Sequence, residues 1–340
     1  MTWPFTAAMA PPRAADPSLS PSRILILKPS SLGDIIHTLP AVAALRAKFP
    51  GAHLTWMVNP EWAPLLKDNP QIDETLDFPR ADFHGPAGWL RFHRWLGNLK
   101  KETPPDLILD FQGLLRTAMV ARAFRPAPVF GLSDAREGAG LVQRQTATVD
   151  PKSHAVGRYL ALAALAGATP AGKPLFDLPA GQPVHHPLPA HPYIVLHPFS
   201  RGSGKSLSPE ATIAFCQAVK RPVVLVGRTP KEVGHIPNVA TDLLNQTDLI
   251  ELVWLLRQAA FVVSVDSGPM HLAAAVTDQL LAIHTWSDPS QVGPYCPGAS
   301  VWKGKQFFSA LDPRASIAGN TNPSPEDAIA MAQWVNQKLG

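Results

Sequence analysis

The sequence predicts an α/β protein of two domains, each an open parallel sheet with helices on both faces. Three observations carry that prediction. Short apolar runs alternate with amphipathic helical stretches from residue 23 to the end of the chain, the rhythm of βαβ units. One proline-rich segment without period, KPLFDLPAGQPVHHPLPAHP at 173–192, interrupts that rhythm and reads as a linker. The 340 residues, 46% of them hydrophobic, suffice for two domains of ordinary size with a core each.

The first domain is expected over 23–172. Arg23–Leu27 is an apolar strand, and Asp34–Lys48 a helix with Ile35, Leu39, Val42 and Leu45 at helical spacing. A strand over His53–Val58, a short helix over Pro60–Asp68 and a short strand over Leu76–Phe78 follow. Then come a helix over Gly88–Lys101, a strand over Leu107–Asp110 and a helix over Leu114–Ala123. Val129–Phe130 ends a strand, an irregular basic stretch succeeds it, and the Ala/Leu-rich run His154–Ala166 is a helix that stops at Gly167. The second domain, 193–322, is read as strands at Tyr193–Leu196, Val223–Val226, Phe261–Val265 and Leu280–Ile283. Its helices are Pro209–Ala218, Leu249–Ala259 and Met270–Val276, and a terminal helix spans Pro325–Lys338 within 323–340. Ligands of such sheets bind at the carboxyl ends of the strands, so a cleft between the domains is the expected site.

Composition excludes several classes. The two cysteines, Cys216 and Cys296, form no CxxC pair, which argues against a disulfide framework or a thiolate metal site and fits a reducing, cytoplasmic compartment. No run of about 18 apolar residues escapes interruption by charges or prolines, so no transmembrane segment is expected. Residues 1–22 lack a basic start followed by a long apolar core and read as a disordered tail. The net charge is +4, and residues 80–144, with ten Lys or Arg against six acids, account for the whole excess. That bias suits an anionic partner, although arginines on solvated helix faces give the same count. Nothing points to nucleic acid.

Three stretches join a strand to a helix through a loop of chemical interest. In KPSSLGDIIHTLPA (28–41) a strand turns through Gly33 into a helix as a phosphate loop would, yet Asp34 stands where an anion would sit. Asp34 is either a helix cap or a carboxylate placed to take a proton from a hydroxyl. In FVVSVDSGPMHLAAAV (261–276) the strand ends at Asp266, Ser267 and Gly268 turn, and Pro269 occupies the first turn of a helix. The N–H groups of such a turn suit a diphosphate, and the alternative is a cap that binds nothing. In LHPFSRGSGKSLSPE (196–210), Ser200, Arg201, Ser203 and Lys205 concentrate donors and positive charge without the spacing of a Walker loop. Here the alternative is a flexible basic loop. Gln112, Gly113 and Arg116 follow the strand that ends at Asp110 and are further candidates to face the cleft. His37, His197 and His271 show no metal-ligand spacing.

Together these stretches resemble glycosyltransferase family 9, the ADP-heptose:lipopolysaccharide heptosyltransferases, over nearly all of residues 23–335. The resemblance rests on RILILKPSSLGDIIHTLPAVAALR, DFQGLLRTA, SHAVGRYLALAA and FVVSVDSGPMHLAAA. It implies a GT-B fold, two Rossmann-like domains facing each other across a cleft, with the terminal helix crossing back onto the first. It implies inverting transfer of heptose from ADP-heptose to a Kdo-bearing lipid A acceptor at the inner membrane face, with no metal and no cofactor beyond the nucleotide-sugar. By residue match, Asp34 is the general base, and Ser200, Arg201, Lys205, Thr229, Asp266, Ser267, Gly268 and His271 bind the donor. Lys28, Ser31, Gly33, Gln112, Arg116, Arg136 and Arg144 are expected on the acceptor side. Two departures stand out. The family's K-x-W-P is here Lys205-Ser206-Leu207-Ser208, and Thr229 takes the place of a ribose-binding acid. Alternatives are another donor or a protein acceptor on the same fold, or a nucleotide-binding protein without catalysis. An NAD-type oxidoreductase is disfavoured because no GxGxxG precedes an acidic residue at the required distance.

Overall fold

The computed structural model describes residues 19–170, 172–190, 192–202, 204–229, 236, 239–310 and 312–340. Most of the 1–22 tail therefore lies outside the described residues. Ser22 does not belong to a loose tail, since its N–H and hydroxyl both donate to Asp106, at 2.8 and 2.6 Å. The chain divides into two compact units, residues 1–179 and 180–340.

The N-terminal unit is built on β1 (Arg23–Leu27), β2 (His53–Val58), β3 (Glu74–Asp77), β4 (Leu107–Asp110), β5 (Val129–Leu132) and β6 (Gln145–Ala147). All pair in parallel, in the order β3-β2-β1-β4-β5-β6. β1 and β4 bury every residue but Arg23, which is why they read as continuous apolar runs. The connecting helices are α1 (Leu32–Lys48), α2 (Gly85–Leu99), α3 (Leu115–Ala123) and α4 (Ala155–Leu165). α1 starts two residues earlier than the sequence suggests, because Ser31 caps it and Asp34 fills its first turn. The expected helix at 60–68 is only a 3-10 turn over Ala63–Leu66. β6 emerges from the stretch read as irregular; at three residues it is too short to show alternation.

The C-terminal unit carries β7 (Ile194–His197), β8 (Val223–Gly227), β9 (Val239–Leu244), β10 (Phe261–Val265), β11 (Leu280–Ile283), β12 (Ser300–Lys303) and β13 (Gln306–Ser309). Their order is β13-β12-β11-β10-β7-β8-β9, with only β13 antiparallel. Around them lie α5 (Pro209–Ala218), α6 (Leu249–Gln258), α7 (Gly268–Val276), α8 (Pro289–Val292), α9 (Arg314–Ile317) and α10 (Pro325–Leu339). β9, β12 and β13 were not apparent from sequence: β9 has a half-exposed, polar pattern, and β12 and β13 are strands of only four residues each, paired as a hairpin.

The boundary between the two units falls within the proline-rich segment, which packs on the unit at either end. Asn69 and Gln71 bond to Asp177 in the N-terminal unit, at 2.9 and 2.6 Å, whereas Gln182 donates to Ile250 in the C-terminal unit. At Gly181, φ is +87° and a Cβ would stand 2.5 Å from the Trp254 nitrogen, so only glycine lets the chain press against α6. The terminal helix, expected on the N-terminal domain, buries its apolar face in the core of the C-terminal unit. Ala328, Met331, Ala332 and Val335 are fully buried in the core that includes Phe215 of α5 and Phe261 of β10. Trp334 stacks on Phe307 of β13 at 5.1 Å.

Candidate functional site

Both sheets reverse their strand order once, between β1 and β4 in the first unit and between β7 and β10 in the second. Ligands of doubly wound sheets bind outside the carboxyl ends of the strands at such points. The loops after these four strands are those that carry the sequence motifs.

In the N-terminal unit, β1 and β4 run in register from Ile24↔Leu107 to Leu27↔Asp110, which sets Lys28 beside Phe111. Lys28 is 3% exposed and its ammonium donates to the Phe111 carbonyl at 3.0 Å. It also lies 3.4 Å from Asp34 Oδ1 and 4.7 Å from the centre of the Tyr159 ring. Burial lowers its pKa, against the pull of Asp34 and Asp110. Asp34 is not the N-cap. It is the third residue of α1, and its Oδ2 accepts the N–H and hydroxyl of Ser31 at 3.0 and 2.9 Å. Oδ1 accepts the Tyr159 hydroxyl at 2.7 Å. Burial opposes the charge on Asp34, but Lys28, Ser31 and Tyr159 outweigh it and hold the carboxyl at a pKa of about 2. The side chain still keeps 35% of its surface exposed, so it is anchored and accessible at once.

Around this carboxylate, Ser31 is exposed and Gly33 is buried in the first turn of α1. Asp110, fully buried and pushed up to about 6 by burial, shapes the β4 loop by accepting from the N–H groups of Gln112 and Gly113 and from the Thr117 hydroxyl. Gln112 is left with a buried side-chain oxygen that has no hydrogen-bond partner among the described residues. Arg116 follows in the first turn of α3. Arg136 is exposed, and its N–H donates to the Gly113 carbonyl at 2.8 Å, so it borders the same loop. Arg144 does not join them: its N–H bonds to Val129, the first residue of β5, which places it at the amino end of the strands. Tyr159 and Arg80, whose guanidinium reaches Ser30 Oγ at 3.4 Å, were not anticipated. Tyr159 sits in the SHAVGRYLALAA run, where the sequence shows only an apolar helix.

In the C-terminal unit, Lys205 donates to Asp266 at 2.6 Å, beside the start of α7. Burial opposes the charge on Asp266, and facing His284, His271 and Lys205 lower its pKa. The Ser267 hydroxyl does not cap α7; it approaches His197 Nδ1 at 3.4 Å and the Val265 carbonyl at 3.3 Å. Gly268 opens the helix, and His271 is 8% exposed in its first turn. His197 is buried, pushed down to about 4 by that burial, and 3.1 Å from Ser264 of β10. Gly227 of β8, at φ +129°, makes room for its ring, since a Cβ there would stand 2.8 Å from it. Ser200 has its N–H bound to Ser206 and its hydroxyl facing the Gly202 N–H at 3.4 Å, while Arg201 is exposed. Ser203 lies outside the described residues. Thr229 is held through its backbone by Asn245, with both bonds 3.0 Å. Among the described residues no group of three or more His, Cys, Asp or Glu is placed to hold a metal ion.

Two units of this order, each with its polar cluster at the switch point, have the architecture of a GT-B glycosyltransferase. The chain belongs to glycosyltransferase family 9 (heptosyltransferase), whose model matches residues 98–307. It is 29% identical over 294 residues to lipopolysaccharide heptosyltransferase 1 of Pseudomonas aeruginosa, covering 80% of this chain and 81% of that one. It is 27% identical to the Salmonella typhimurium enzyme of the same name, covering 87% and 96%. In fold it is similar to E. coli heptosyltransferase WaaC, solved with ADP and with ADP-2-deoxy-2-fluoro heptose. That match has a TM-score of 0.71 at 23% identity and covers 93% of this chain and 99% of WaaC.

Proposed function

We propose that the protein transfers heptose from ADP-heptose to an anionic lipopolysaccharide inner-core acceptor, with inversion and without a metal. The observation that carries this reading is which member of the ion pair at each switch point is accessible. The first presents the carboxylate, Asp34, over buried Lys28, and the second presents the cation, Lys205, over buried Asp266 at the start of a helix. Asp34 receives the acceptor hydroxyl and takes its proton as the bond to the sugar forms. Lys205, Ser200, Ser267, Gly268 and the dipole of α7 hold the diphosphate and stabilise the charge that gathers on it as the glycosidic bond breaks. Thr229 holds the ribose, and Asp266 orients Lys205. The named activities of the relatives and the nucleotides bound in WaaC support this choice of donor and acceptor.

Asp34→Asn is expected to lower the transfer rate by roughly 10²–10⁴-fold while ADP affinity stays unchanged. Lys205→Ala is expected to weaken ADP binding by about 10–100-fold, the worth of a charge-assisted hydrogen bond. Turnover retained in the first variant removes Asp34 as base, and unaltered affinity in the second removes Lys205 from the donor site. Thermal-shift comparison of ADP-, UDP-, GDP- and CMP-sugars checks the donor.

The same reading places the protein on the cytoplasmic face of the membrane that holds its acceptor. Among the described residues no helix is long and apolar enough to cross a membrane. α2 supports a peripheral contact: it exposes Trp89 and Leu90, carries Arg91 and Arg94, and contains no acid. Leu90→Glu with Arg94→Glu is expected to reduce co-sedimentation with anionic phospholipid vesicles and to leave transfer to a deacylated, soluble acceptor intact. Unchanged sedimentation would discard α2 as the contact.

A further inference from the structure

The loop after β11 holds a tryptophan that neither the motifs nor the proposed roles include. Trp286 is 52% exposed, although both of its neighbours are buried, Thr285 at 3% and Ser287 at 7%. The loop is held on both sides. The Thr285 carbonyl accepts from Thr321 N–H at 2.9 Å, and the Ser287 carbonyl accepts from the buried Lys303 ammonium at 2.8 Å. His284 adds a third tie, with Nδ1 2.9 Å from the Ser287 hydroxyl. A loop bound this firmly holds about half of the indole out in solvent, where that half of so large an aromatic gains nothing from burial.

Its surroundings identify what it faces. The Lys205 ammonium lies 4.8 Å from the centre of the indole ring while bonded to Asp266. Gly204 of the same loop lies alongside, since a Cβ there would come 3.9 Å from the Trp286 ring. Beneath them, the Nε2 of fully buried His284 has no hydrogen-bond partner among the described residues.

Strand order then assigns the ligand. Four neighbouring strands, β8, β7, β10 and β11, end in Thr229, Ser200 with Lys205, Asp266 to Gly268, and Trp286 respectively. At the usual strand spacing, the outer two ends stand about 14 Å apart. A nucleotide-sugar is a linear molecule with its diphosphate in the middle. With the diphosphate at β7 and β10 and the ribose at Thr229, the sugar falls at β11.

We propose that Trp286 is the platform for the donor sugar, its indole covering the C–H face of the pyranose next to the phosphate held by Lys205. This assignment rests on the donor site proposed above. It also bears on the departure at the lysine loop: the aromatic absent from Lys205-Ser206-Leu207-Ser208 is supplied by another loop, against the same lysine.

The test compares ADP with ADP-heptose, each titrated by calorimetry against wild type, Trp286→Ala and Trp286→Phe. Trp286→Ala is expected to bind ADP within twofold of wild type and ADP-heptose about tenfold more weakly, with Trp286→Phe restoring most of the loss. An equal loss for both ligands overturns the proposal, because the indole then serves the nucleotide or merely positions Lys205. No loss for either overturns it as well. A wild-type protein that binds ADP but gains nothing from the sugar rejects the platform while leaving the nucleotide site standing. A wild-type protein that binds neither ligand rejects the donor site and the platform together.

Discussion

At the scale of single residues, the chemistry turns on how tightly Asp34 is held as an anion. A pKa of about 2 keeps it ionised throughout the neutral range but makes it a weak base in the resting protein. In the proposed reaction it would therefore accept a hydrogen bond from the acceptor first and the proton late, when bonding to the sugar has made that hydroxyl acidic. Because the folded value lies below the usual 3.8, ionised Asp34 stabilises the fold above about pH 4, and that contribution is lost as pH falls from there toward 2. Replacing Lys28 by Met removes the cation 3.4 Å from Oδ1, so the carboxyl should titrate at higher pH. The acid limb of kcat/KM is then expected to move upward into the accessible range, whereas in wild type it stays below about pH 4. A profile that does not move separates Lys28 from the tuning of Asp34. Asp34 itself was legible in KPSSLGD, since an acid in a phosphate-like loop is conspicuous. Tyr159 was not, because its hydroxyl reaches Asp34 across 125 positions of sequence and its helix shows only an apolar pattern.

At the scale of elements, strands buried on both faces and helices with one apolar stripe announced themselves, while short or half-exposed elements did not. β1, β4, β7 and β10 are such strands, and they are the four that flank the switch points, so the loops that carry the candidate residues follow strands plain in the sequence. β9 and the β12–β13 hairpin escaped notice, and with them went the means to order the strand ends. α10 marks another boundary of legibility: its apolar stripe was plain, but a stripe does not say which core it covers. Met331 and Val335 answer that, both fully buried beside α5. Met331→Ala is expected to cost about 2–5 kcal/mol in urea unfolding, all of it in the C-terminal unit. A loss felt by the N-terminal unit would return the helix to the place expected from sequence. Arg144 failed for a related reason. Charge count put it in the basic stretch 80–144, but β6 carries it to the amino end of the strands, and counting along the chain cannot tell one end of a sheet from the other.

At the scale of the whole molecule, each unit has a core of its own and a separate task in the proposed reaction. The N-terminal core gathers Leu25, Met57, Phe78, Phe92 and Val120, and the C-terminal core gathers Phe215, Val263, Ile283 and Met331. The whole net positive charge is likewise matched by residues 80–144 of the first unit, the half assigned to the anionic acceptor. Chains with separate cores depart from a single all-or-none transition, so scanning calorimetry is expected to resolve two steps. A ligand that binds only one folded unit stabilises that unit alone. ADP at 100 times its Kd should therefore add about 2.7 kcal/mol to the C-terminal step and nothing to the N-terminal one. Met331→Ala identifies the C-terminal step independently, because it lowers that step without touching the nucleotide site. Asp34→Asn should keep the full ADP response, and Lys205→Ala should lose most of it. If ADP instead raised the N-terminal step, the diphosphate would belong with Lys28 and Asp34, and the assignment of donor and acceptor to the two units would have to be exchanged.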